Sequence, residues 1–212
     1  MIAAGVLRDG AAKLGLQLDD LQSERLLAYA ALILKWNKVY NLTALRDSAS
    51  VLTHHLLDSL AVVVPLARQW PGRATLLDVG AGAGLPGAVI AIMRADIAVE
   101  CLDAVAKKAA FVQQVAGELQ LPNLRGKHAR VESLSGQYEL ISSRAFASLP
   151  DFFAGSSHLL ADDGIWMAMK GRKPVDELAQ VPASVEVFHV EQLDVPGLDA
   201  ERCIVWARKQ PA

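Results

Sequence analysis

Residues 76–92 read LLDVGAGAGLPGAVIAI. An apolar run and an acid are followed by three glycines at every second position, a proline and a second apolar run. No other feature constrains the fold as tightly. The first run predicts a short buried strand over Thr75–Val79. Gly80, Gly82 and Gly84 can take positive φ and let backbone approach a ligand closely. Pro86 suits the first turn of a helix, where its missing N–H costs nothing. The helix start would leave N–H groups free for an anion. Strand, glycine turn and helix in that order form the first unit of an open α/β sheet, whose ligand crevice lies at the strand ends. A plain turn would not need three alternating glycines, because each costs backbone entropy. Gly82, Gly84 and Gly87 also satisfy GxGxxG, a weak signal alone.

The rhythm around this unit separates the chain into two parts. Residues 1–70 read as helices. One runs over Leu18–Trp36, with Leu26, Ala30, Ile33 and Leu34 near helical spacing and Asp19 or Asp20 as N-cap. A second runs from about Ser48 to Val64, where Pro65 is expected to end it. QWPGRA is a turn cluster and the expected boundary. From residue 71 to 212 strands and helices alternate. Strands are predicted at Ala98–Leu102, Asn123–His128, Tyr138–Ser142 and Gly164–Lys170. Helices are predicted at Pro86–Met93, Ala104–Leu119 and Leu149–Leu160. This order gives a mostly parallel sheet with helices on both faces. Val185–Val190 and Cys203–Ala207 are joined without a long helix, so an antiparallel pair should close the sheet. With 212 residues, 52% of them hydrophobic, one α/β domain with a helical appendage can bury a full core. The fold class is therefore α/β and Rossmann-like, with seven strands.

Asp78 bears on the ligand. A dinucleotide would bring a pyrophosphate to this loop, and a carboxylate beside it would be repelled. S-adenosylmethionine (SAM) brings an α-ammonium, a sulfonium and a carboxylate instead. Asp78 suits that ammonium, directly or through water, and the helix start would be left for the carboxylate. Asp103 ends the second strand 19 residues after Gly84, where a ribose diol is gripped. That acid serves NAD as well as SAM, so an NAD-dependent oxidoreductase is one alternative, disfavoured by Asp78. Others are a SAM methyltransferase acting on another RNA site or a small molecule, and a regulatory protein that holds SAM without reacting.

Other function classes are narrowed by composition. A net charge of −2 gives no global basic field, so any nucleic-acid surface must be local. Cys101 and Cys203 lie in short apolar strands without a CxxC, and read as buried small hydrophobes. His54 and His55 are adjacent, should point to different helix faces, and cannot chelate one metal as an i, i+4 pair would. No metal site is expected. The N-terminus lacks the pattern of a signal peptide, and no run reaches the length of a membrane span. A cytoplasmic protein without membrane contact is expected.

Several segments together carry a resemblance. WNKVYNLTALRD (Trp36–Asp47), HHLLDSL (His54–Leu60), LLDVGAGAGLPG (Leu76–Gly87), ISSRAFASL (Ile141–Leu149) and MAMKG (Met167–Gly171) occur in this order. The chain closely resembles the glucose-inhibited division protein B family of bacterial 16S ribosomal RNA 7-methylguanosine methyltransferases. The likeness covers nearly the whole chain. It implies class I SAM-dependent methyltransfer to N7 of one guanosine in 16S rRNA within the small ribosomal subunit. No obligate protein partner is implied, so a monomer is expected. By motif match, Gly80 and Leu85 should touch SAM, Val131 and Glu132 should flank the adenine, and Arg144 should lie near the reacting end. The alanine-rich DAVAKKAAF is a departure where more polar or basic residues would be expected.

The implied chemistry asks little of side chains. N7 of guanine has a free lone pair, so no general base is needed and positioning dominates. Arg144 could hold guanine O6, a phosphate or the SAM carboxylate; its alternative is a structural ion pair. Phe146 could stack on a flipped base or sit in the core. Lys170, Arg172 and Lys173 are expected to line the substrate mouth with Arg144. His55 and Arg46 are expected to contact RNA from the helical part. Lys107, Lys108, Arg125, Lys127 and Arg130 form a further basic run, more often a solvated face than a site.

Overall fold

The computed structural model describes residues 2–144 and 147–210. Helix α1 (Ala4–Lys13) and helix α2 (Asp20–Tyr40) come first. Asp19 begins α2 with a reciprocal capping box: its carboxylate accepts from the Gln22 N–H at 2.7 Å, and the Gln22 amide oxygen accepts from the Asp19 N–H at 3.1 Å. Two orphan donors of the helix start are thereby satisfied. Leu26, Tyr29, Ala30 and Ile33 repeat at helical spacing and are all buried, which fixes the inward face of α2. Asn41 ends it in the left-handed region, at φ 49°.

Residues 48–69 form one nearly continuous helical stretch. It consists of α3 (Ser48–Val51), a π-helical turn (Leu52–Leu57), α4 (Asp58–Leu60) and α5 (Val63–Gln69). Pro65 does not end the helix as expected. A break at Ala61–Val62 precedes it, so its missing N–H falls in the first turn of α5, where that donor is not required. By length and composition the stretch could cross a bilayer, but 72% of its most apolar window is buried inside the protein. Its apolarity serves the core.

The sheet contains β1 (Ala74–Val79), β2 (Ile97–Asp103), β3 (Leu124–His128), β4 (Tyr138–Arg144), β5 (Leu160–Lys170), β6 (Val185–Leu193) and β7 (Arg202–Lys209). The spatial order is β3-β2-β1-β4-β5-β7-β6. The first five strands pair in parallel, and β7 pairs antiparallel with both β5 and β6. The helices α6 (Gly87–Met93), α7 (Ala106–Glu118) and α8 (Leu149–Ser156) follow β1, β2 and β4, and a short α9 (Val175–Leu178) precedes β6. The antiparallel closure agrees with the expectation from sequence.

Alternation along β1 divides the core. Leu76 faces a cluster that includes α1, α2, residues 48–69, α6 and α7. Leu77 and Val79 face a second cluster with Phe152, Phe153 and Trp166. The N-terminal helices thus share their apolar cluster with one face of the sheet. Cys101 and Cys203 are free and buried.

On the edge strand β3, Gly126 lets α7 approach closely. A Cβ there would lie 2.2 Å from the Ala109 carbonyl oxygen and 3.0 Å from the Gln113 nitrogen. Both are backbone atoms, which cannot step aside as a side chain can. Gly126→Ala is expected to destabilise the fold by about 1–3 kcal/mol, the usual range for overpacking. Urea unfolding measures it; an unchanged midpoint would show that α7 is free to shift.

Candidate active site

The site lies where β1, β2, β4 and β5 end. The glycine loop between β1 and α6 is held from within. Gly80, Gly82 and Gly84 have φ of 68°, 60° and 88°, the region that glycine enters without penalty. The Ala81 N–H donates to the Leu102 carbonyl, and those of Gly84 and Leu85 donate to the Ala81 carbonyl. The Gly82 N–H donates to the Asp103 carboxylate at 3.0 Å. From α2, the buried Tyr29 hydroxyl donates to the Ala83 carbonyl at 2.6 Å.

Asp78 corrects the expectation placed on it. Its carboxylate is fully buried beneath the loop. It accepts from the Gly87 N–H at 2.9 Å and the Ser142 hydroxyl at 2.8 Å. It does not offer itself to a ligand ammonium. The first two N–H groups of α6 are likewise engaged, that of Gly87 by Asp78 and that of Ala88 by the Gly84 carbonyl. Burial pushes the Asp78 carboxyl up to about 6, against the opposing pull of Ser142, Gly87 and Arg144. Gly84 is also structural: a Cβ there would meet Val112, Ala88 and Tyr29 in the interior.

Two cavities meet at the loop. The larger, of about 590 Å³, is walled by Gly80–Ala83 and Leu85 on one side and by Arg144, Met169, Lys170, Gly171 and Arg202 on another. The helical part closes it with Leu42, Thr43, His54, His55 and Asp58. The smaller, of about 130 Å³, contains Val79, Gly80, Leu102, Asp103, Ala129 and Val131 with Glu132. Gly80 borders both. Of the residues singled out in the sequence, Gly80, Gly82, Leu85, Arg144, Lys170 and His55 therefore meet in one cavity, and Asp103, Val131 and Glu132 in the other. Asp103 already accepts from the Gly82 and Val105 N–H groups and pairs with Lys108 at 3.7 Å.

Other expectations are not met. Arg172 and Lys173 are exposed in the bend after β5 and are not among the residues of the wall, which ends at Gly171 on this strand. Arg46 is also outside it, reaching Asn41 on the surface. Phe146 lies outside the described residues. His54 and His55 both border the large cavity, His54 with its carbonyl bonded to Arg144 and His55 as a buried ring. His55 is not a cation for RNA. Its Nδ1 lies 3.0 Å from the His54 carbonyl and its Nε2 2.8 Å from the Thr43 hydroxyl, the pattern of a neutral ring donating through Nδ1 and accepting at Nε2. Burial, then Arg144, push its pKa down to about 4.

The sequence reading missed Asp58, Arg202 and Thr43. The Arg144 Nη1 donates to Asp58 at 2.9 Å and to the His54 carbonyl at 3.0 Å. The Arg202 Nε donates to the other Asp58 oxygen at 2.8 Å. Lys170 Nζ donates to Glu177 at 2.8 Å and to the Ala147 carbonyl at 2.7 Å. Asp58 had a signal, a lone acid inside the apolar run HHLLDSLAVVV. Arg202 had none, being an ordinary strand start.

This sheet order, with a crevice at the parallel strand ends, defines a Rossmann-like methyltransferase fold. A ribosomal protein L11 methylase from Lactobacillus delbrueckii subsp. bulgaricus superposes with TM-score 0.59 at 14% identity, covering 73% of this chain and 79% of its own. A 1,6-didemethyltoxoflavin-N1-methyltransferase from Burkholderia thailandensis, solved with S-adenosylhomocysteine, gives 0.59 at 15% identity over 87% and 90%. At those identities the likeness concerns the fold. Sequence resolves the family. Residues 22–205 match the family model described as GidB, rRNA small subunit methyltransferase G. Proteins named ribosomal RNA small subunit methyltransferase G are 60% identical in Polaromonas sp. (97% of this chain, 93% of that one) and 58% identical in Acidovorax sp. (95% and 93%). The chain belongs to this family of methyltransferases.

Two buried groups, His55 and Asp78, have opposite pH signatures. The His55 pKa is lowered from 6.5 to about 4, so the unfolded chain takes the proton first and stability is lost as pH falls from 6.5 to 4. The Asp78 pKa is raised from 3.8 to about 6, so the folded chain takes its proton first and stability is gained as pH falls from 6 to 4. His55→Gln removes only the first effect. Between pH 6.5 and 4 the variant should therefore gain stability relative to wild type in urea titrations. Parallel pH curves would show that His55 titrates normally in the folded protein.

Proposed function

We propose that this protein transfers a methyl group from SAM to N7 of one guanosine in 16S rRNA, acting as a cytoplasmic monomer on the small ribosomal subunit. One observation carries the proposal: a narrow recess and a wide cavity meet at Gly80. A cofactor laid across Gly80 would have its nucleoside in the recess and its reacting end in the cavity that receives the substrate.

The residues fit SAM better than a dinucleotide. Ala81, Gly82, Gly84, Leu85, Gly87 and Ala88 all spend their N–H groups inside the protein. That leaves a loop poorly equipped to cradle a pyrophosphate, and Asp78 lies buried behind it. A Cβ on Gly82 would meet nothing but the Gly80 oxygen at 4.0 Å, so glycine keeps cavity space open for the ligand. Asp103 and Glu132 would hold the ribose and adenine end, with Val131 and Leu102 as apolar walls. When bound, SAM supplies an electrophilic sulfonium methyl.

The protein's own groups then act by placement. Asp58 is neutralised by two arginines and His55 is neutral and bonded, so the large cavity offers no ready base. N7 needs none. Aligning two reactants can contribute roughly 7–11 kcal/mol, ample for a displacement without proton transfer. Arg144 stands at the end of β4, beside β1, where it can orient the guanine or its phosphate. It must not donate to N7, which would occupy the attacking lone pair. Residues 1–70 supply the opposite wall and, in this proposal, contacts to rRNA.

The test is transfer of label from methyl-labelled SAM to subunits lacking the modification, mapped by cleavage at 7-methylguanosine. One labelled guanosine is expected. Arg144→Ala should lower turnover about 100-fold or more, as removal of a positioned charged donor does, while SAM binding persists. Label at another atom or on no RNA would overturn the substrate, and full turnover by the variant would remove Arg144 from the chemistry.

A further inference from the structure

Asp58 is a charged side chain in an apolar helical stretch, with a side chain only 2% exposed. Both its oxygens are engaged, one by Arg144 and one by Arg202, at 2.9 Å and 2.8 Å. The three residues come from α4, the end of β4 and the start of β7. A lone pair of charges here would add little, because desolvation offsets the attraction. What the carboxylate does accomplish is to hold two like-charged guanidiniums at one cavity wall.

We infer that Asp58 positions Arg144 and Arg202 as a paired clamp for an RNA phosphate next to the target guanosine. Arg144 is engaged through Nη1, and Arg202 through Nε and through Nη1 to the Glu201 carbonyl. Among the described residues, Nη2 of each has no partner. Both side chains are 22% exposed and both line the cavity. Arg144 and Arg202 bring two positive charges to that lining against the single carboxylate of Asp58, while Lys170 is already paired with Glu177 at 2.8 Å, so the wall keeps a net positive charge that favours an oxyanion. Guanidinium N–H groups match phosphate oxygens in geometry as well as charge.

Sheet order sets the start of β7 beyond β4 and β5 from the nucleoside recess, which favours RNA as the owner of that oxyanion, and the SAM-binding arm of the test separates it from the cofactor carboxylate. The recess with Asp103 lies at the ends of β2 and β1. Arg202 starts β7, three strands from β1, so its backbone is about 14 Å from that strand at the usual spacing, while its guanidinium reaches back to Asp58 beside that of Arg144. It is on the far side of Arg144 from the recess. Beside these lining residues the exposed surface is mixed, with Asp199 and Glu201 before Arg202 and Arg172 and Lys173 after Gly171.

The inference rests on rRNA being the substrate, and equilibrium binding separates the two. Binding of unmodified subunits by full-length protein is measured against salt, beside SAM affinity and methyl transfer by wild type. Arg202→Gln should weaken subunit binding about tenfold, within the range for a charged hydrogen bond, and reduce the log–log salt slope by about one. SAM affinity should hold. Asp58→Asn removes a negative charge, so simple electrostatics would tighten RNA binding, whereas loss of positioning should weaken it. Weaker subunit binding by both variants supports the clamp. Tighter binding by Asp58→Asn, or an unchanged salt slope in Arg202→Gln, overturns it. So does weakened SAM binding with unchanged subunit affinity, which would assign the oxyanion to the cofactor carboxylate. Should Asp58→Asn fail to fold by circular dichroism, the surface-accessible Arg202→Gln still decides. Absence of methyl transfer by wild type would instead refute the rRNA methylation itself.

Discussion

A carboxylate buried without solvent contact is tolerable only when its oxygens are bonded, and the site depends on one that is. Asp78, on β1, takes a backbone N–H from the start of α6 and a hydroxyl from β4. It therefore ties the first strand, the helix after it and the neighbouring strand into one unit. Gly87 has to be glycine for this bond, because a Cβ there would lie 2.5 Å from Cys101 Sγ and 2.9 Å from the carboxylate. Burial still penalises the ion, as its raised pKa records. The loop above can consequently be glycine-rich and yet fixed, with its shape imposed from below.

The helical part supports the same region from the side. Tyr29 holds the loop carbonyl at Ala83, and Asp58 holds the arginines of β4 and β7. Both anchors are side chains of the first 70 residues. The apolar cluster crosses the expected boundary at QWPGRA, so the cavity wall opposite the loop is set by core packing. His55 and Thr43 complete that wall as a neutral, mutually satisfied pair.

Much of the fold was legible in the sequence. The strand–glycine–helix pattern, the alternating elements and the lack of a helix between the last two strands predicted the sheet, its parallel part and its antiparallel end. Most strands were read short, most visibly β5, which begins at Leu160 where the pattern still continues the preceding helix, while the helices after β1, β2 and β4 were read long. Pro65 was misjudged because a proline marks either the end of one helix or the first turn of the next, and only the break at Ala61–Val62 distinguishes them. In the site, the glycine loop, Asp103, Val131 and Glu132 were found at the two cavities. Arg172 and Lys173 were placed there by charge and by following the fifth core strand, and Arg46 by charge and by following the N-terminal motif; neither signal tells which side chains reach a cavity wall.

Local sequence determined which residues must be glycine, which runs become strands and where the ligand crevice opens, because steric freedom and apolar periodicity act over a few neighbours. Tertiary structure alone decided what Asp78 does, and that Arg144, Asp58 and Arg202 meet although Arg202 stands 144 residues from Asp58. A carboxylate reads the same in sequence whether it faces a ligand or an amide beneath a loop. Its role is settled by the atoms that surround it, and these come from strands and helices brought together only by the folded sheet.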